Sequence, residues 1–306
     1  MKKSLFLQII CAIIWSIEFE NCKCIGLWRG LSMFRGLYAA TSGMMAYNRQ
    51  QQILTNNLSN AVTPGFKSDI TTFRTFPQQL IEKMGGPNSN ANYAGTLSVG
   101  TYAQEAIPQF TQGILKQTAN TTDFALQSSF LPQDSQTNQR GTLVFQVQTA
   151  NNEIRYTQNG QFVVDQTGVL RTAAGDRVLN RAGEQIQLSS LDFKVDDQGL
   201  LEIDGVISDS LWIGYASDPL SFVKEGSGLL RYEGAAENAP VLASTSAIAG
   251  TGSPLVSQGF LEQSNVDMTR IMTDMLKTYR GFESNQKVIQ AYDQSMQKAV
   301  TEIGRV

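Results

Sequence analysis

Apolar residues recur at alternating three- and four-residue steps near both ends of the chain, and the region between them shows no such regularity. From Gly36 to about Asn60, the positions Leu37, Ala40, Met44, Tyr47, Gln51, Leu54 and Leu58 keep this spacing, and all but Gln51 are apolar or aromatic. A 3.5-residue period holds one face of an α-helix to one side, so the spacing predicts a helix with a coiled-coil seam about 36 Å long at 1.5 Å per residue. Thr63-Pro64-Gly65-Phe66 follows. Proline cannot continue a helix, and Pro-Gly suits the two central positions of a type II turn, so the helix must stop there. The second pattern is longer: Met268, Met272, Met275, Tyr279, Phe282, Gln286, Ile289, Asp293, Met296, Val300 and Ile303. Ser264, Asn265 and Asp267 offer capping oxygens ahead of it, and Gly304 offers a C-terminal stop.

Neither helix can bury its seam alone. A single stripe of this kind fits an amphipathic helix lying on its own core. Two seams of period 3.5, separated by about 200 residues, instead favour pairing of the N-terminal with the C-terminal helix. Met45 and Ile53 in one helix, and Ile271, Leu276, Val288 and Tyr292 in the other, lie beside the seams. A pair with apolar residues on more than one face is expected to bury the remainder against other copies of the chain.

Between the helices the signals are those of short strands and turns. Candidate strands fall at 142–148, 161–165, 169–172, 193–196, 200–204 and 210–215. Val164-Asp-Gln-Thr-Gly-Val-Leu170 and Val195-Asp-Asp-Gln-Gly-Leu-Leu201 share one pattern, in which Asp-x-x-Gly between apolar runs predicts a hairpin connection. Residues 84–92 have loop composition, and 233–252 turn small and polar. The expected class is α+β, with paired coiled-coil helices flanking an inserted all-β domain. The expected segments are an upstream extension (1–32), an N-terminal axial helix (33–65), an extended linker region (66–117), a β-rich outer domain (118–250), and a linker with the C-terminal axial helix (251–306).

Composition narrows the chemistry. The 306 residues include no histidine, and the three cysteines, Cys11, Cys22 and Cys24, all lie in the first 24. Triads built on histidine and zinc, haem or iron–sulfur ligation therefore have no residues to use beyond that point, and no cofactor is expected. Asp196 and Asp197, with Asp204 nearby, are the one loose carboxylate cluster. Calcium wants six to eight oxygens, so these read as turn residues and not as a metal or hydrolytic site. A net charge of −3 without a basic block argues against nucleic acid. Lys2, Lys3 and an apolar run from Leu5 to Ile17 have the shape of a secretory signal. The helical pattern begins abruptly after Met33, which favours translation from that residue.

Several of these stretches resemble one family, the axial rod and hook proteins of the bacterial flagellum, and within it the rod subfamily. The likeness is carried by Leu54-Thr-Asn-Asn-Leu-Ser-Asn60 with Thr63-Pro-Gly-Phe-Lys67, by Gln112-Gly-Ile-Leu115, by Asp123-Phe-Ala-Leu-Gln127 and by Tyr156-Thr-Gln-Asn-Gly-Gln-Phe162. Near the C-terminus it continues through Gln258-Gly-Phe-Leu-Glu-Gln-Ser-Asn-Val266, Arg280-Gly-Phe-Glu283 and Asn285-Gln-Lys-Val-Ile289. Ser128-Ser-Phe-Leu-Pro132 departs from the glycine- and phenylalanine-rich step usual there. Gly281 stands mid-helix at a cost of about 1 kcal/mol relative to alanine, which a close neighbouring helix would explain.

The resemblance implies a non-enzymatic, self-assembling subunit of the basal-body rod. Its paired helices would line a tube, and its β-rich domain would form an outer layer. It also implies export, unfolded, across the cytoplasmic membrane by the flagellar type III apparatus. The implied partners are further copies of the chain and other rod and hook proteins, with no small-molecule substrate. Hook proteins of the family usually carry additional outer-domain sequence, so the span between the helices favours rod over hook. The rival from another class is a secreted surface adhesin, with the leading segment as a true signal peptide.

Overall fold

The computed structural model describes residues 35–83, 92–128, 131, 140–190, 193–203, 205–234, 239–243 and 255–303. The first 32 residues, Asp204, Gly304 and the expected loop over 84–92 lie outside them, except for Asn92, which opens a strand. The fold is α+β: helix α1 is Arg35–Ser59, helix α2 is Met268–Lys298, and everything described between them is strand, short 3-10 turn or loop. A π-helical turn, Ala299–Ile303, follows α2.

The helix ends are set by local chemistry. After α1, the Phe66 N–H donates to the Thr63 carbonyl at 3.3 Å and Gly65 takes φ +69°, the geometry of a type II turn with Pro64 and Gly65 at its centre. Ahead of α2, Asp267 Oδ1 accepts from the N–H groups of Thr269 (2.9 Å) and Arg270 (3.2 Å), a helix N-cap. Ser264 and Asn265 do not cap α2, and Asn265 is spent elsewhere.

The chain divides into two compact units. The smaller gathers residues up to 50, 73–104 and those from 277 onward, and the larger gathers 51–72 and 105–276. The larger unit holds a nine-stranded antiparallel sheet with Thr142–Gln148 at its centre, paired to Ile154–Thr157, Arg177–Val178 and Ile213–Ala216. Leu143, Phe145 and Val147 point into one apolar cluster and Val144 into another, so this strand is buried on both faces. Phe124, Phe145 and Phe162 form the aromatic centre of the main cluster, the Phe162 ring centroid lying 5.9 Å from that of Phe124 and 5.2 Å from that of Phe145.

A three-stranded sheet is built from Phe193–Val195, Leu200–Ile203 and Val206–Ser210. The candidate strand at 210–215 is therefore two strands, one ending at Ser210 and the next beginning at Ile213. Leu211 and Trp212 carry the chain across, their N–H groups donating to Gly199 and Leu179 carbonyls at 2.8 and 3.2 Å. A continuous apolar run hid this crossing because Leu211 is itself fully buried.

One hairpin turn recurs four times, starting at Asp165, Thr172, Asn180 and Asp196. In each, the N–H of the glycine three residues on returns to the first residue's carbonyl at 2.8–3.0 Å. Gly168, Gly175, Gly183 and Gly199 all take left-handed φ between +79° and +97°, a type I turn closed by a glycine bulge. The segment 66–117, expected as an extended linker, carries strands at Asp69–Thr75, Gln79–Lys83, Asn92–Leu97, Thr101–Pro108 and Leu115–Gln117. The first four form a two-stranded ribbon, Asp69–Thr75 against Thr101–Pro108 and Gln79–Lys83 against Asn92–Leu97. Asp69–Thr75 has no buried residue on either face, so it shows no period-two apolar signal.

Candidate assembly surfaces

Within the smaller unit, α1 and α2 meet through glycines. A Cβ on Gly36 would fall 2.0 Å from the Tyr292 Oη, one on Gly43 would lie 2.7 Å from the Asn285 Nδ2, and one on Gly281 would lie 2.7 Å from the Tyr47 ring. As the α1 partner moves from 36 through 43 to 47, the α2 partner moves from 292 through 285 to 281, so the helices run antiparallel in this contact. Gly281 sits mid-helix because the Tyr47 ring occupies the space where its side chain would be.

On α2, Ile271 and Thr278 are buried, and Met275, Phe282, Asn285, Ile289, Tyr292 and Met296 are half-buried, together again in 4-3 alternation. This stripe shares Met275, Phe282, Ile289 and Met296 with the apolar pattern and parts from it by one residue in between. Met268, Met272, Tyr279 and Val300 are 48, 53, 57 and 74% exposed, and Ile303 closes the π-helical turn. On α1, Leu37, Met44, Tyr47, Leu54 and Leu58 are half-buried, and Ala40, Ala46, Ile53 and Asn57 are buried. Glycines meeting tyrosines, with Asn285 against Gly43, mark the helix contact, and the apolar pattern divides between its inward members Met275, Phe282, Ile289 and Met296 and the exposed Met268, Met272, Tyr279 and Val300.

The smaller unit has almost no core. Among its described residues only Ala40, Ala46 and Thr278 are buried, while Tyr38, Met45, Phe73, Phe76, Tyr102 and Tyr279 are each more than a third exposed.

The quoted motifs converge elsewhere, at a junction inside the larger unit. Lys67 and Glu262 form an ion pair at 2.7 Å with side chains only 5% and 4% exposed. Lys67 Nζ also donates to the Thr111 carbonyl at 2.9 Å, and Glu262 Oε1 also accepts from the Gly113 N–H at 2.7 Å. Such satisfaction of the remaining donors and lone pairs is what a buried pair requires. The Gly65 N–H donates to the Glu262 carbonyl at 2.8 Å, and a Cβ on Gly65 would lie 2.7 Å from the Asn159 nitrogen. The turn Thr63-Pro64-Gly65-Phe66 therefore has its shape fixed from outside as well as within.

Amides clamp the remaining backbone. Asn57 exchanges two hydrogen bonds with the backbone of Asp69, at 2.8 and 2.9 Å. Asn265 accepts from the Ser68 N–H at 2.7 Å and donates to the Gln109 carbonyl at 2.9 Å. Lys224 donates to the Lys67 carbonyl and to Asp69 Oδ1, with its ammonium 4.4 Å from the centre of the Phe66 ring. Burial pulls the Lys224 ammonium below its ordinary pKa, against the opposing effect of its bond to Asp69. A Cβ on Gly160 would fall 1.7 Å from the Phe124 carbonyl oxygen, which ties a third motif to a fourth. In the sequence Lys67, Gly160 and Glu262 are motif letters without a role, and Asn265 is a cap candidate that instead ties Ser68 to Gln109. The available signal was a charged or amide residue fixed inside a short apolar motif.

Three segments match family models: residues 37–67 the flagella basal body rod protein, 140–203 the flagellar hook protein FlgE/F/G D1 domain, and 257–302 the flagellar basal body rod FlgEFG protein C-terminal region. Over 277 residues the chain is 37% identical to the flagellar hook-basal body complex protein FlhO of Bacillus subtilis (strain 168), spanning 90% of this chain and 100% of that one. The chain belongs to the flagellar basal-body rod protein family. It is 31% identical over 281 residues to the flagellar basal-body rod protein FlgG of the same organism, across 88% of this chain and 98% of the relative. It is 28% identical over 276 residues to the flagellar basal-body rod protein FlgF of Escherichia coli (strain K12), across 87% and 97%. In this rod-family chain the first and last matched segments contribute Lys67 and Glu262, so the buried pair joins the two terminal family signatures.

Proposed function

We propose that the chain is a structural, non-enzymatic subunit of the flagellar basal-body rod, and that α1 and α2 pair as a coiled coil and pack against further subunits. The scarcity of buried side chains among the described residues of the smaller unit carries the proposal. A module whose described residues bury two alanines and a threonine while exposing several aromatics offers that apolar surface to neighbours. The exposed Met268, Met272, Tyr279 and Val300 supply packing surface toward other copies, and Leu37, Met44, Leu54, Leu58, Met275, Phe282, Ile289 and Met296 support the pair itself. The larger unit, with its closed aromatic core, forms the outer layer of the rod.

Export of the chain across the cytoplasmic membrane by the flagellar type III apparatus, and contact with other rod and hook proteins, belong to the same reading. So does the division into terminal axial helices and a β-rich outer domain. The adhesin alternative has no support in the relatives, which match from end to end and carry rod and basal-body names. Deleting the gene and imaging purified basal bodies by electron microscopy tests the proposal: a truncated rod is expected, restored by the wild-type gene. Intact rods in the deletion strain would refute it.

A further inference from the structure

We infer that the hairpins 162–172 and 193–203 are two copies of one unit, shifted by 31 residues along the chain (162 to 193) and packed on Phe124 as a shared anchor. The second copy has become the docking site of the C-terminal strand Val256–Gln258.

Phe162, Val164, Asp165, Gly168 and Leu170 recur as Phe193, Val195, Asp196, Gly199 and Leu201, five identities in eleven positions. The pairing recurs with them. Leu170, Arg171 and Thr172 face Val164, Val163 and Phe162, while Leu201, Glu202 and Ile203 face Val195, Lys194 and Phe193. Every cross-strand pair thus maps onto its counterpart by the same shift. The turn bonds map too: the Asp165 and Asp196 N–H groups donate to the carbonyls of Val169 and Leu200 at 3.0 and 2.9 Å. In each copy a leucine N–H, from Leu188 or Leu211, reaches the turn glycine's carbonyl at 2.8 Å. A one-residue slip in either hairpin turns its apolar residues to the other face, so a common register is a demanding match. The turns at Thr172 and Asn180 provide the contrast. They use the same left-handed glycine. Yet Val169, Arg171 and Arg177 surround the first, and Arg177, Leu179 and Gln185 the second, where the copies carry Phe, Val and Leu. Turn geometry alone does not impose the pattern.

Burial follows the repeat. Phe162, Phe193, Leu170 and Leu201 are all buried in the main apolar cluster. The Phe124 ring lies 5.9 Å from Phe162 and 6.3 Å from Phe193, tilted by 43° and 38°, so one ring serves two equivalent ones. The copies part at their outer edges. On the second, Gln258 Oε1 accepts from the Val195 N–H and Gln258 Nε2 donates to the Phe193 carbonyl, both at 3.0 Å. A side-chain amide there stands in for the peptide group of a neighbouring strand. The Leu255 and Val256 N–H groups donate to the Asp197 carbonyl at 2.8 and 3.3 Å. On the first, the edge instead meets Asp123, bridged to Gln161. Every hairpin atom in these contacts with 255–258 belongs to the main chain. Docking therefore follows from the shape the copies share and not from the residues by which they differ.

Exchange of sequence in the full chain tests this. Residues 193–203 are replaced by the sequence of 162–172, and in a second variant by that of 177–187, which supplies the Asn180–Gly183 turn without the flanking pattern. In thermal melts followed by circular dichroism, the first variant should stay within about 10 °C of the wild type, and the second should lose the cooperative transition of the larger unit. Equal loss in both overturns the inference. A second measurement needs no graft. Phe162→Leu and Phe193→Leu should lower the urea midpoint by amounts within about a factor of two of each other, and each should lose less beside Phe124→Leu than the separate losses add up to. Coupling of Phe124 to one ring alone, or to neither, overturns the shared anchor. Gln258→Ala should speed hydrogen exchange at the Val195 amide about tenfold and leave the Val164 amide unchanged. An equal change at both amides, or none, overturns the docking role of the second copy.

Discussion

Gly281 and Tyr47 show how a single position can be read correctly as odd and still need the structure to be explained. A glycine in mid-helix costs about 1 kcal/mol relative to alanine, and here it admits a ring that would otherwise overlap a Cβ. Replacing it with leucine should raise intrinsic helix stability and yet weaken the contact of the helices, seen as reduced incorporation into basal bodies with little change in the melting of the larger unit. Lys67 and Glu262 behave differently. Lys67→Met leaves an uncompensated buried carboxylate and should destabilise the full chain by about 3–5 kcal/mol in urea unfolding. Adding Glu262→Leu should recover most of that loss, since removing both charges from a buried pair is often close to neutral. If the double variant is as unstable as the single one, the pair is not the source of the cost. The burial of Lys67 was not legible in the sequence because its partner lies 195 residues away. Only the local motif was visible, and a lysine beside a Pro-Gly turn reads as solvated.

At the level of elements, the helices and the central strand announced themselves, and the ribbon did not. A seam of period 3.5 placed α1 and the start of α2 to within a residue or two of the observed Arg35–Ser59 and Met268, and carried α2 to Ile303, where the α-helix ends at Lys298 and a π-helical turn takes the chain on. The inward face proved harder, because Gly281 and Asn285 lie in the contact and Thr278 is buried, and none of the three carries a hydrophobic signal. The two outcomes separate experimentally. Phe282→Ala should lower the thermal stability of the purified chain, whereas Met272→Ala should change it by less than about 0.5 kcal/mol while lowering incorporation into the rod. Equal loss of monomer stability in both would place the two residues on one face and contradict the one-residue offset. The hairpins follow a similar rule. Those opening with Asp165 and Asp196 were legible from the shared Asp-x-x-Gly pattern, and those opening with Thr172 and Asn180 were not, although all four use a left-handed glycine. Gly168→Ala should cost about 1 kcal/mol or more, because its φ of +79° strains any residue with a Cβ.

For the molecule as a whole, two units of unequal completeness share one chain. The larger buries Phe124, Phe145 and Phe162 almost entirely, and the smaller buries nothing larger than threonine among its described residues. Hydrogen exchange on the purified chain should therefore find slow amides across 142–216 and fast ones in 35–50 and 277–303, with the latter slowing strongly once the protein is in the rod. Uniform protection in the free chain would contradict this picture. Family membership was legible from the order of the motifs, while the reason for that order emerges only at the Lys67–Glu262 junction. That junction has a consequence for synthesis as well as for architecture. A ribosome that releases the chain before residue 262 leaves the lysine's counter-ion unmade, and the strand Phe260–Glu262 with it. Shortened products would thus be unable to close this junction when they fold.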